Sequence, residues 1–196
     1  MRDLTLLDDA ATVLLGCVCE YLQQAHSQHP AHPGCPCITC VTPGKPAWDS
    51  CCDCLPDGQH GGQLTVHVEQ VWPYQEWPDP ATGRDMYKCA PAGMGLAADL
   101  VVTLLRCAPT VSDQGLPPGC DQLQESARVT HVDQMVVAAA VTCCFPEALP
   151  ARRGKRRRVL LRESRVVGPE GGCVGSETRV TVDLGPACLC LPETSR

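Results

Sequence analysis

Apolar residues recur at helical spacing in two segments of the chain. In residues 5–25 they return every three or four positions and form one apolar face. Asp3 or Thr5 can begin this helix, because either side chain can accept a hydrogen bond from an unpaired N–H of the first turn. A second segment begins at Asp121 as its capping residue, keeps the spacing to about residue 144 and ends before Pro146. The pattern predicts two amphipathic helices.

Strand signals lie between and after these helices. Residues 63–72 place Leu64, Val66 and Val68 on one face and polar side chains on the other, which is typical of a half-buried strand. The rich β-branched and Leu content of residues 98–107 predicts the central strand. Three further segments are predicted to be strands: 85–89, 159–167 and 178–184. The glycines of residues 168–175, between the last two strands, suit turns with positive φ.

Residues 26–62 follow neither period. Prolines interrupt the segment and exclude a helix. His26, His29 and His32 therefore share no helical face, and exposed polar positions are the favoured interpretation of all three. We predict an irregular loop held by Trp48 and by six cysteines: Cys35, Cys37, Cys40, Cys51, Cys52 and Cys54.

Strand runs flanked by helices, without repeated βαβ alternation, predict an α+β fold with a mainly antiparallel sheet of about five strands packed with two helices. We expect one domain over residues 1–185, with the cysteine-rich insertion at about 26–62 and a basic loop at about 150–158. Residues 186–196 are expected to form a C-terminal tail fastened by Cys188 and Cys190.

The chain has 196 residues, and 16 of them are cysteine. This density is typical of secreted disulfide scaffolds. The N-terminus argues against export, because Asp8 and Asp9 interrupt the apolar run that a signal peptide needs. We expect synthesis in a cytoplasm, no transmembrane helix and thiols that start reduced. Buried thiols are the favoured interpretation of Cys17 and Cys19. All cysteines near predicted elements, these two included, are expected to be core thiols or cross-links between elements: Cys17, Cys19, Cys89, Cys107, Cys143 and Cys144.

Charge is unevenly distributed along the chain. Residues 1–151 carry 6 basic and 17 acidic side chains, a net charge of −11, whereas residues 152–196 carry 10 and 5, a net charge of +5. Such asymmetry suits either a solvated basic loop or a contact between oppositely charged surfaces of neighbouring subunits. A nucleic-acid arm is the alternative, although no aromatic residue interleaves with the basic run to stack on bases. The candidate subunit-contact residues are Arg152, Arg153, Lys155, Arg156, Arg157 and Arg158.

The only metal-type pattern consists of two C-x-x-C pairs ten residues apart. Four thiolates in tetrahedral array would suit structural zinc, so Cys37, Cys40, Cys51 and Cys54 are the candidate ligands of a zinc-stabilised regulatory or nucleic-acid-binding module. Disulfides or buried thiols are the favoured alternative, and no cofactor is expected. No nucleophile signature, Walker motif or dinucleotide-binding motif is present, so we expect no catalytic residues and no enzyme activity.

Seven short motifs follow one another along the chain: Cys17-Val-Cys19, Pro36-Cys37, Trp48-Asp-Ser-Cys-Cys52, Gly62-Gln-Leu-Thr-Val66, Leu105-Arg-Cys-Ala-Pro109, Cys143-Cys144 and Gly168-Pro-Glu-Gly-Gly-Cys-Val-Gly175. In this order they resemble a cysteine-rich protein that siphophages of actinobacteria encode among their head–tail connection genes. The helix–three-strand–helix–strand order resembles the tail terminator family of these bacteriophages.

The resemblance implies a structural virion protein. Tail terminators form a homo-oligomeric, hexameric ring at the head-proximal end of the viral tail tube, stop tube polymerisation during virion assembly and join the tail to the head connector. The implied partners are other copies of the chain, the tail tube protein and a head-side connector or stopper protein. Genome DNA would pass through the lumen without sequence-specific binding, and no membrane is implied. The implied location is the neck of the virion, after synthesis in the host cytoplasm; another head–tail connector role is the alternative.

Overall fold

The computed structural model describes residues 5–46, 61–81, 94–111, 114–150 and 156–186. The predicted strand at 85–89 and the predicted tail cysteines Cys188 and Cys190 lie outside these residues. Helices and strands follow in the order α1 (Leu6–Gln28), β1 (Ile38–Thr42), β2 (Gln63–Tyr74), β3 (Gly95–Cys107), α2 (Cys120–Ala139), a π-helical turn (Ala140–Cys144), α3 (Phe145–Ala148), β4 (Val159–Glu170) and β5 (Cys173–Pro186).

The five described strands form one sheet in the order β1-β2-β3-β5-β4. Three neighbouring pairs are antiparallel, and β1 runs parallel to β2, with Cys40 opposite Thr65. The predicted α+β class and five-stranded sheet are confirmed, but the sheet is mixed. The parallel pair comes from β1, which lies inside the segment predicted to be an irregular loop. Its five residues are too few to show alternation, and pairing with β2 makes them a strand.

Both long helices pack on the same face of the sheet. Leu64, Leu100 and Val180 come from three neighbouring strands, point to this face and are fully buried. They join one apolar core with the buried face of α1, which carries Leu14 and Val18 as predicted. Burial of a Leu or Val side chain contributes about 1.5–3 kcal/mol, so this single core accounts for much of the stabilisation of the fold.

Strands β4 and β5 form a hairpin that is longer than predicted. The glycine-rich stretch between them is mostly strand, and the chain turns only at Gly171 and Gly172. Both glycines have positive φ, 57° and 77°. A two-residue turn of this kind needs positive φ at both central positions, which glycine adopts without strain. The hairpin therefore extends to the end of the sheet where β3 finishes, since Cys107 lies opposite Cys173.

Two disulfides join α1 to the π-helical turn and to the segment that follows α1. Cys17 bonds to Cys144 in the π-helical turn, and Cys19 bonds to Cys35 after the helix. The favoured interpretation of Cys17 and Cys19 as buried thiols is therefore wrong. Successive turns of α1 bring Cys17 close to the end of α2, with a Cα–Cα distance of 5.8 Å to Cys144 that suits a disulfide.

Candidate functional site

The sheet face opposite the helices carries a polar cleft of about 350 Å³. Glu177 of β5 is its central acid. One carboxylate oxygen lies 3.0 Å from Lys45 Nζ, and the other accepts a hydrogen bond of 2.7 Å from Arg165 on β4. Arg179, two residues along β5, donates to Glu69 of β2 at 2.6 Å. These pairs bind three strands and the segment after β1 across the open face.

The titration of the cleft groups follows from these contacts. Burial alone would raise the pKa of Glu177, but the hydrogen bonds from Arg165 and Lys45 outweigh it and hold the pKa below the ordinary value. Burial lowers the pKa of His67, against the opposing pull of Glu69 and Glu177, so its imidazole is neutral at pH 7. The cleft thus combines charges that already neutralise one another, which suits a rigid contact surface better than acid–base chemistry.

A second polar cluster is buried on the helix side at the end of β3. Arg106 donates to both carboxylate oxygens of Asp133, from Nε and from Nη2, each at 2.9 Å. The same Nη2 also donates to the Gly34 carbonyl at 2.7 Å. His32 Nε2 lies 2.9 Å from Asp133 Oδ1. The prediction that His32 is an exposed loop residue is wrong, because its side chain closes this cluster and is 2 % exposed.

The protonation of His32 follows from its other ring nitrogen. The Gly34 N–H donates to His32 Nδ1 at 3.1 Å, so Nδ1 carries no proton and Nε2 donates to Asp133. Burial would raise the pKa of Asp133, but the bonds from His32 and Arg106 hold the pKa below its ordinary value. With both nitrogens engaged and the ring buried, His32 has no lone pair for a substrate proton. The cluster joins α2, β3 and the segment after α1.

Residues 156–158, the described part of the predicted basic loop, lead into β4 at the other end of the sheet, where Tyr74 lies opposite Gly95. Arg158 donates to the Tyr74 hydroxyl at 2.6 Å and stacks over the rings of Tyr74 and Trp77. Burial, together with the hydrogen bond to Asp183, raises the pKa of Tyr74 to about 12, so the hydroxyl stays protonated and donates to Asp183 at 2.8 Å. Arg157 is half-buried and donates to backbone carbonyls.

Of the predicted subunit-contact residues, Arg156 is the one that the structure leaves most open. Its side chain is 74 % exposed and pairs only with Glu147, which is itself exposed, at 3.1 Å. An exposed pair of this kind contributes little stability and exchanges easily. Arg157 and Arg158 instead fasten the start of β4 to their own chain. Arg152, Arg153 and Lys155 lie outside the described residues.

The cysteines predicted to fasten the loop differ in state. Cys35 is bonded to Cys19, Cys37 is disulfide-bonded, and Cys40 is a free, exposed thiol on β1. Cys40 needs no sulfur partner, because strand pairing with β2 already holds it. Cys51, Cys52 and Cys54 lie outside the described residues, so the zinc set stays a prediction. A disulfide sulfur is not a thiolate ligand, however, and the structure therefore favours disulfide chemistry at Cys37.

The helical run from the middle of α2 to α3 carries few charged side chains. Between Arg128 and Glu147 the only charged side chain is Asp133, which is buried. Leu123 and Met135 are 50 % and 72 % exposed. The helical run Cys120–Ala148 is long and apolar enough to cross a membrane by length and composition, a test that core helices also pass. The sequence predicts no transmembrane helix. This run qualifies as a candidate by length and composition, and 33 % of its most apolar window is buried inside the fold.

Sequence reasoning missed the Arg106–Asp133–His32 cluster, although its signal is present. Arg106 stands at the end of an apolar strand. Asp133 is buried on α2, on a face that the apolar spacing of the sequence did not select. A charge at a core position needs an opposite partner, so these two residues predict one another. Comparison with protein-family models and with curated proteins gives no match for this chain.

Proposed function

We propose that this chain is a structural virion protein, a tail terminator that forms a ring at the head-proximal end of a siphophage tail tube. The observation that carries the proposal is the order of elements. One helix, three strands, a second helix and two further strands build a single sheet with both helices on one face. The count of elements matches the order that suggested the resemblance, with β1 as one of the three strands and the predicted strand at 85–89 outside the described residues.

Two features of the described residues support a structural and non-catalytic role. The His32–Asp133 pair on the helix side is buried, and both ring nitrogens of His32 are engaged in hydrogen bonds. The cleft on the opposite face holds matched ion pairs that favour packing against protein. A ring built from identical subunits needs two unlike surfaces on each subunit, and the segregation of charge along this chain supplies them.

Mass photometry of the purified protein, followed by negative-stain microscopy, tests this proposal. We expect a discrete species at a multiple of the 21.0 kDa chain mass and ring-shaped particles with a central opening. The same sample mixed with purified tail tubes should decorate one end of each tube. A protein that stays monomeric at every concentration and leaves the tubes bare would contradict the proposal.

A further inference from the structure

The polar cleft on the open face of the sheet contains hydrogen-bonding atoms whose bonds the protein does not make. His67 of β2 lines the cleft and is 7 % exposed. Its Nδ1 is buried and has no hydrogen-bond partner among the described residues, and the same holds for Nε of Arg179 on β5. Buried polar groups are nearly always paired with protein or with a bound group. Unmade bonds at two residues of one cleft therefore point to a ligand.

The register of the sheet places these two residues on either side of one apolar residue. His67 lies opposite Val101 of β3, and Val101 lies opposite Arg179. Neighbouring strands lie ~4.8 Å apart, so the backbones of His67 and Arg179 are separated by about 10 Å. Val101 also lines the cleft. It forms the floor of a gap that a group of a few atoms would fill, with a polar side chain at each side.

The central carboxylate of the cleft has no capacity for a further ligand. The two oxygens of Glu177 are engaged by Lys45 and by Arg165. The other two carboxylates, of Glu69 and Glu163, are 38 % and 63 % exposed, so water solvates them at the rim. Within the described part of the chain, no group of histidine, cysteine and carboxylate side chains could hold a metal ion. A cation therefore finds no set of acceptors at the floor of the cleft.

The capacity that remains at the floor belongs to donors. Arg179 donates through Nη2 to Glu69, while its Nη1 lies 3.7 Å from Glu163, beyond hydrogen-bond length. Because Nδ1 of His67 is buried, Nε2 is the ring nitrogen that faces the cleft, where its N–H can donate. A carboxylate offers two oxygens side by side, each of which accepts a bond of this kind.

The charge balance of the cleft selects a single negative charge. Strand β3 contributes only the uncharged Val101, and the charged groups that face His67 come from the other elements. They are Lys45 after β1, Glu69 of β2, Glu163 and Arg165 of β4, and Glu177 and Arg179 of β5. Three cations and three carboxylates cancel while the histidine is neutral. A proton on His67 offsets one bound negative charge but not two, so a carboxylate fits better than a doubly charged phosphate.

We propose that this cleft binds a carboxylate group over Val101, between Nε2 of His67 and the guanidinium of Arg179. The site does not depend on the proposed ring, and the carboxylate can belong to a small acid or to an acidic side chain of a partner protein. A bound anion favours the charged form of His67. Proton and carboxylate therefore raise each other's affinity, and binding strengthens as the pH falls.

NMR titration of the histidine ring signals, in sodium acetate and in sodium chloride of equal ionic strength, tests the site. We expect His67 to titrate at a higher pH in acetate, with acetate affinity falling about tenfold per pH unit between the two midpoints. His131, exposed on α2 outside the cleft, should titrate equally in both salts. His67→Gln assigns the signal and keeps a side-chain N–H, so acetate should still bind but without the pH dependence.

A matched pair of variants tests the guanidinium. Arg179→Gln should weaken acetate binding about tenfold, because a hydrogen bond to a charged group is lost. Arg128→Gln is the control, since Arg128 is paired with a glutamate at the same distance of 2.6 Å but lies on α2. It should bind acetate as the unchanged protein does.

The alternatives give different results. Equal titration of His67 in both salts would overturn the site, and so would an Arg179→Gln variant that binds acetate undiminished. With the His67 shift present, loss of tail-tube decoration in acetate would assign the carboxylate to a partner protein, and unchanged decoration would assign it to a small acid. A protein that shows the shift but stays monomeric and leaves the tubes bare would contradict the proposed ring and leave this site intact.

Discussion

At the scale of single residues, the most consequential feature is the buried contact of Arg106 with Asp133. A buried ion pair is weak support for stability while it is intact, because both charges have lost their hydration. Loss of one partner is costly, since the other charge then stays buried without compensation. Here the arginine also binds the Gly34 carbonyl, and His32 completes the carboxylate's bonds. The cluster therefore fixes the segment after α1 against α2 and β3.

Replacement of Asp133 should destabilise the protein strongly. We expect Asp133→Ala to lower the free energy of unfolding by about 3–5 kcal/mol, because Arg106 would remain buried without a counter-charge. Urea unfolding followed by circular dichroism measures the change. Glu125→Ala removes a carboxylate of equal charge from an exposed pair on the same helix and should leave the unfolding midpoint nearly unchanged. Equal midpoints for the two variants would contradict the structural role of the cluster.

The carboxyl group of Asp133 should make the free energy of unfolding depend on pH in the acidic range. Its pKa is lower in the folded protein than the ordinary value of 3.8, so its stabilising contribution is present above that value. As the pH falls below about 3.8 the unfolded chain binds a proton first, and the contribution is lost as the pH approaches the folded pKa. Asp133→Asn should flatten this part of the pH–stability curve. A slope unchanged by the substitution would show that other groups, including Glu177, carry the acid dependence.

At the scale of elements, periodicity predicted both long helices and the strands that became β2, β3, β4 and β5. These segments are long enough for their apolar positions to repeat several times, and burying those positions in one core stabilises the helix or strand that the pattern predicts. β1 escaped prediction because its identity depends on pairing with a distant strand. The sequence pattern did not predict that Asp133 is buried, and only the fold brings His32 and Arg106 to it.

The two disulfides that join α1 to other parts of the chain should contribute unequally to stability. The Cys17–Cys144 bond closes a sequence separation of 127 residues, and the Cys19–Cys35 bond closes 16. Loop-closure entropy assigns roughly 5 and roughly 3 kcal/mol to such bonds. The double change to Ala at Cys17 and Cys144 should therefore destabilise the protein more than the same change at Cys19 and Cys35. Cys120→Ala, at a free exposed thiol, is the matched control. The reverse order in urea unfolding would contradict the entropic explanation.

At the scale of the whole molecule, charge and shape are arranged along the sheet axis. An apolar groove between α2 and the β4–β5 hairpin adjoins the Cys107 end of β3, and Arg158 contacts Tyr74 at the Gly95 end. The sequence shows that acidic and basic residues are segregated along the chain. It does not show which end of the sheet each group occupies, because that depends on how β3 and α2 run through the fold.

The structure distinguishes disulfide-bonded cysteines from free ones. The fold places Cys17 and Cys19 in bonds to other elements, while Cys40, Cys120 and Cys143 remain free and exposed. For a particle assembled in a reducing cytoplasm, we expect the disulfides to form after release into an oxidising medium. Subunits would then assemble first and be cross-linked internally afterwards.

The length of tail tubes assembled in the presence of the protein tests the proposed role most directly. Purified tube protein should polymerise without limit alone, and addition of this chain should give tubes with one end occupied and no growth from that end. Gold-labelled protein seen by electron microscopy at a single tube end, together with the arrest of elongation there, is the expected result. Tubes that keep growing at both ends, with label absent or spread along their length, would contradict the assignment.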